Sequence, residues 1–182
     1  MRIWLLVLWT IITIPVHGDE DSEIKRVASP DGNFLAATRE IPDEGYVWRK
    51  DLDRFRLVVW PARLGTEFGD RYLRWDCGRQ RVMSNMSWSP DSKFLVLTTV
   101  SSGGHSPWHF DSYVFCVADR TVRYMDGTIG PVVKPDFQFI AAHRLVISLG
   151  PDYDHPTVKQ IDLGKETPNM KVEATLKYIS MD

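Results

Sequence analysis

Two stretches of this 182-residue chain carry one hydropathy pattern. Residues 29–37 read Ser-Pro-Asp-Gly-Asn-Phe-Leu-Ala-Ala, and residues 89–97 read Ser-Pro-Asp-Ser-Lys-Phe-Leu-Val-Leu. In each, polar turn formers give way to an apolar run. Pro fixes φ at the second corner of a type I turn, Asp suits the third and Gly32 the fourth, so Ser29–Gly32 is predicted as such a turn. The runs Phe34–Ala37 and Phe94–Leu97 are continuous rather than alternating, the pattern of a strand buried on both faces. A sheet built on such strands must lie between other sheets.

A weaker copy is read at 134–142, Lys-Pro-Asp-Phe-Gln-Phe-Ile-Ala-Ala, where Pro135-Asp136 and Phe139-Ile140 keep the spacing without the Ser and Gly. The prolines at 30, 90 and 135 are 60 and 45 residues apart, close to the repeat length of propeller blades. After each copy comes a polar loop and a second β-rich run, at 54–60, 112–118 and 157–163. Further strands, 71–77 and 121–127, complete the first two units, and in the former Leu73, Trp75 and Cys77 share a face. Near the end Val172, Ala174, Leu176 and Tyr178 alternate with Lys171, Glu173, Thr175 and Lys177, which predicts one half-exposed edge strand. No long segment after the first twenty residues has helical periodicity. The expected fold is all-β, with units at approximately 24–80, 82–127 and 128–180 in one domain, 19–182.

The stretches "SPDGNFLAA" and "WSPDSKFLVLTT" resemble the WD40-like Pro-Asp repeat of TolB-type β-propellers, over roughly residues 30–163. The resemblance implies a partial or small β-propeller-like stack of antiparallel sheets. It also implies a protein or cell-envelope partner and a bacterial envelope setting. Propellers usually have at least four blades and three are read here. Two chains completing a six-bladed ring as a homodimer, an open array of blades, a further diverged blade and a three-sheet sandwich-like variant are the alternatives.

The first residues change the picture of where the chain goes. Arg2 precedes an apolar or hydroxyl run from Ile3 to Ile14, then Pro15 and the small Gly18 before an acidic stretch. That order predicts a signal helix cleaved after residue 18, too short to span a bilayer, and hence a periplasmic or secreted protein with no stable membrane insertion after cleavage; an uncleaved membrane anchor is the alternative. The formal net charge of −2 and the lack of any Lys/Arg cluster give no reason to expect nucleic acid. Cys77 and Cys116 are the only cysteines. In an exported chain they are read as a disulfide or, equally, as two buried thiols, and the absence of Cys-x-x-Cys argues against redox work.

If the units are equivalent, so are the loops at 40–53, 101–111 and 150–156, which would emerge on one face. They carry Trp48, Asp51, His105, Trp108, His109, Asp111, Tyr153, Asp154 and His155, with Asp43, Glu44, Asp53 and Asp152 beside them. Aromatic rings mixed with carboxylates and imidazoles are the material of a recognition surface. His105-x-x-x-His109-x-Asp111 could serve a metal, but Gly103, Gly104 and Pro107 oppose the helix that would give the spacing meaning. There is no Gly-x-Ser-x-Gly elbow and no phosphate-binding loop. The Asn85-Met86-Ser87 sequon falls at the start of a predicted strand. The function expected is a non-enzymatic interaction module with no cofactor. The alternative is a small ligand- or metal-binding secreted enzyme using the same loop face.

Overall fold

In the structure, a computed structural model, residues 25–41, 54–61, 71–77, 81–101, 110–151 and 154–180 are described. Residues 1–18, expected from the sequence to be a signal, lie outside them. Among the described residues the fold is all-β, in open antiparallel sheets that fit a partial propeller-like stack.

The first meander runs β1 (Lys25–Ala28), β2 (Phe34–Ile41), β3 (Arg54–Pro61) and β4 (Arg71–Asp76), each antiparallel to the last. The second runs β5 (Arg81–Trp88), β6 (Phe94–Ser101), β7 (Phe110–Cys116) and β8 (Thr121–Tyr124). A short helix α1 (Asp126–Ile129) leads into the third, β9 (Val132–Ala141), β10 (Arg144–Leu149) and β11 (Thr157–Asp162). Strand pairing passes from the second meander to the third through a single residue pair, Phe110 and Val132. The three are therefore separate packing layers, joined at one corner.

Side-chain alternation explains how the layers stack. On the second sheet Leu95, Leu97, Tyr113 and Phe115 face the first sheet, in a cluster with Phe55, Leu57, Val59, Leu73 and Trp75. Their neighbours Val96, Val114 and Cys116 face the third sheet, in a cluster with Leu145, Ile147, Leu149 and Ile161. The middle sheet is covered on both faces, so its strand β6 is buried without interruption from Leu95 to Thr99. Two of those buried positions are polar, and each donates a hydrogen bond: Thr98 Oγ1 to the Pro135 carbonyl at 2.7 Å and Thr99 Oγ1 to the Asp111 carbonyl at 3.3 Å. Trp75 packs edge-on against Phe55 and Tyr113, and the Trp88 indole N–H donates to the Val27 carbonyl at 3.1 Å across the first seam. Buried indoles need such a partner.

Two expectations need correction. Pro135-Asp136 is not a turn: it lies inside β9, and the chain reverses at Ala142-His143 instead. β9 meets β7 at one pair only, and its pairing with β10 shifts register between Ile147 and Leu149. A strand whose ladder is interrupted at that point tolerates a proline, which has no N–H to give. The alternating segment at the end is also not one strand. It divides into β12 (Lys171–Thr175), which pairs β8, and β13 (Tyr178–Ser180), which pairs β4. Between them Leu176 turns into the first core cluster, and its N–H donates to the Arg120 carbonyl at 2.8 Å. The end of the chain thus straps the outer edges of two sheets, after leaving the third through helix α2 (Leu163–Glu166) and a 3-10 turn at Thr167–Asn169.

Candidate functional site

The two Pro-Asp turns share one hydrogen-bond pattern. Gly32 N–H donates to the Ser29 carbonyl at 2.9 Å, and Ser92 N–H to the Ser89 carbonyl at 2.8 Å. Each serine hydroxyl is a hub. It accepts from the N–H of Phe34 or Phe94, at 2.9 and 3.0 Å, and donates to Oδ1 of Asp31 or Asp91, at 2.6 and 2.7 Å. The aspartate then takes the N–H two residues on, from Asn33 at 3.0 Å and Lys93 at 3.4 Å. The Asp31 and Asp91 carboxyls are held below their ordinary range; in both, burial is the largest single influence and pushes upward, and it is outweighed by the hydrogen bonds, joined at Asp91 by nearby positive charge such as that of Lys93.

The fourth position shows what differs between the copies. Gly32 and Ser92 both have positive φ, 71° and 58°, a conformation that is costly for any residue with a Cβ. Ser92 bears that cost with a compensating contact: its Oγ accepts the Asp31 N–H at 3.0 Å, tying the second turn to the first. The third turn reaches back in the same way. His143 sits with Nδ1 at 3.7 Å from Asp91 Oδ2 and Nε2 at 3.3 Å from Asp162 Oδ1. All three reversals therefore line one end of the stack. Strands β2, β6 and β10 leave that end together, and the loops that follow them attach at the opposite end.

At that opposite end, where β7 begins, are two buried carboxyls. Asp111 is 5% exposed, and its two oxygens accept from the hydroxyls of Tyr124 at 3.2 Å and Tyr113 at 3.5 Å. Asp126, the first residue of α1, accepts from the Ser112 N–H at 3.0 Å and closely from the Ser112 hydroxyl. Burial pushes the Asp126 carboxyl up to about 7; the Ser112 hydrogen bonds pull it down, while the charge of Asp111 adds to the rise. One carboxyl thus holds its proton into the neutral range beside its neighbour. Perturbed carboxyls of this sort mark functional sites more often than chance, but here every bond named is internal to the fold.

Of the residues expected to bind, Trp48, Asp51, His105, Trp108, His109 and Tyr153 lie outside the described residues, as do Asp43, Glu44, Asp53 and Asp152. Asp154 and His155 are exposed at the mouth of β11. Asp111 is a strand residue rather than a loop residue, and its carboxylate is committed to two tyrosines. Cys77 and Cys116 are both buried and both held as thiols, in different core clusters on the two sides of the middle sheet. Burial pushes the Cys116 thiol up to about 11, which leaves it unreactive. Asn85 of the sequon lies half-buried in β5, its side-chain oxygen accepting the Met86 N–H at 2.9 Å. Among the described residues no group of three or more His, Cys, Asp or Glu could hold a metal, and no helix is long and apolar enough to cross a membrane. Sequence reasoning passed over Asp126, His143 and Asp162. The first stands in an ordinary Asp-Gly, and the other two become neighbours only through packing.

A scan against protein-family models finds no match for the chain, and a search of curated proteins finds none.

Proposed function

We propose that this protein is an exported, non-enzymatic interaction module built from WD40-like, TolB-type Pro-Asp repeats. It uses the loop end of its stacked sheets to hold a protein or cell-envelope partner. The observation that carries this reading is the correspondence of the two turns: five hydrogen bonds recur at the same positions in each copy, although Gly32 and Asn33 of the first are Ser92 and Lys93 in the second. Repetition at that level is what a modular scaffold shows, where every unit turns one reversal inward and offers one loop outward. A periplasmic or secreted site follows from the signal-like first eighteen residues, and nucleic acid is disfavoured by the charge. The open outer sheets suit a homodimer in which two stacks close one ring.

Site-specific photo-crosslinking during export in a bacterial host tests it. A crosslinker at Trp108 is expected to trap a defined partner, and one at Asn33, on the turn end, to trap none. The double variant W48A/W108A should lose the adduct formed from a crosslinker at Tyr153 while keeping the wild-type melting temperature. Equal trapping at both ends, or unfolding of the double variant, would overturn the reading.

A further inference from the structure

We propose that the Asp126 carboxyl is a protonation-controlled pin at the corner where the second and third sheets join, closed when it carries its proton and loosened when it is charged. The inference stands apart from the proposed function and rests on that corner alone.

Among the described residues, strand pairing crosses the corner at one residue pair, Phe110 and Val132. The chain itself crosses it through α1, then Gly130 and Pro131. Gly130 has φ 106°, a conformation that glycine adopts readily and other residues do not, and its N–H donates to the Asp126 carbonyl at 3.0 Å. The Asp126 carboxyl reaches both sides of the junction. From β7 it accepts the Ser112 N–H at 3.0 Å and, closely, the Ser112 hydroxyl; from β9 it accepts the backbone N–H of Val132. The Met125 N–H secures the near side, donating to the Ser112 carbonyl at 2.9 Å. One side chain therefore bonds the second sheet to the third where little else does.

Its neighbour sets the chemistry. Asp111 precedes Ser112, is 5% exposed, and accepts from the Tyr113 and Tyr124 hydroxyls. Ionised Asp126 puts a second negative charge into the same corner. Burial, the largest influence, and the charge of Asp111 push the carboxyl up to about 7, against the pull of its three donors. Protonated, it keeps an acceptor oxygen for Ser112 and carries no charge.

The other charged groups nearby are engaged elsewhere or lie further along the chain. Lys159, from β11, donates to the Ile129 carbonyl at 3.3 Å, at the far end of α1. Arg123, from β8, is bound to Asp119 at 2.6 Å and to the Thr167 carbonyl at 2.7 Å. Lys134 is half-buried on β9, two residues beyond Val132. The 3-10 turn offers only the uncharged Asn169 carbonyl, which accepts from the Thr128 hydroxyl at 3.4 Å.

The sign follows from linkage. Lifting α1 and the first residues of β9 off β7 lets water reach the carboxyl and separates it from Asp111. In the opened corner it titrates near its ordinary value, about 4. The closed corner holds a proton that the open one releases, so opening becomes easier as pH rises from about 4 to about 7 and levels off above that. The loop end of the stack is thus stiff in acid and looser at neutral pH.

Carboxyl NMR of the full mature chain is expected to show Asp126 titrating near pH 7, and D111N should move that titration to lower pH. Native-state hydrogen exchange reads the corner itself. Corrected for intrinsic rates, the amides of Ile129, Val132 and Val133 should lose at least about tenfold in protection between pH 5 and pH 7.5, and at pH 7.5 should be less protected than those of Leu95–Thr98. D126N, which keeps the shape and cannot ionise, should remove the pH dependence at the corner. An Asp126 titration near pH 4 would overturn the proposal. So would corner amides that exchange only together with Leu95–Thr98 at both pH values, or a D126N corner that loosens with pH as wild type does.

Discussion

The second and third sheets contain nearly the same four residues at the same place and use them differently. β6 begins Phe94-Leu95-Val96-Leu97 and β10 begins Arg144-Leu145-Val146-Ile147. In β6 the leucines face one core cluster and Val96 the other, and all three are fully buried. In β10 Leu145 and Ile147 are buried while Val146 is only half-covered, between Gln138 and Gln160 on its neighbours. The outward face of the third sheet also carries Asp136, Ser148 and the 66%-exposed Val158. A middle layer needs apolar residues on both faces; a terminal layer needs them on one and closes the stack with polar residues on the other.

The sharpest way to break this comparison is to place the same charge at matched positions. V96D buries a carboxylate between two sheets with no partner, and is expected to cost more than about 4 kcal/mol and abolish the cooperative transition. V146D puts the same carboxylate on the polar outer face and should cost below about 1 kcal/mol. Urea denaturation of the two variants decides it. If V146D is as damaging as V96D, the third sheet is covered and is not the end of the stack.

A smaller effect separates carboxyls inside the seams from those on the outer face. Asp126 is raised to about 7, so the folded state holds a proton that the unfolded chain releases near pH 4. Wild-type stability should therefore fall as pH rises from about 4 to about 7, by about 2–4 kcal/mol in all. D126N, which keeps the shape and cannot ionise, should flatten that fall. D136N, on the exposed face, should leave both the slope and the stability within about 0.5 kcal/mol of wild type. A D126N profile that still falls like wild type would place the titration elsewhere.

Most of the scaffold was legible in the sequence because its signals are local. The Ser-Pro-Asp turns, the continuous run in β6 and the alternation of Leu73 and Trp75 in β4 each specify their structure within a few residues. What was misread depended on distant partners. Pro135 looked like a turn because a proline in a strand is exceptional, and its tolerance depends on β9 being almost unpaired on the β7 side. The end of the chain alternates evenly, and only the position of Arg120 shows that it must turn at Leu176. His143, Asp91 and Asp162 are far apart in sequence and meet through packing alone. The candidate binding face was legible only as a set of residue types on loops, and of those Asp111 proved to be buried strand chemistry.

Native-state hydrogen exchange across the three meanders tests the layered stack most directly. With the middle sheet covered on both faces, the amides of Leu95–Thr98 should exchange only through global unfolding, at least about tenfold more slowly than those of Val146–Ser148 in the terminal sheet. Equal protection in β6 and β10, or slower exchange in β10, would contradict a stack with the second sheet at its centre.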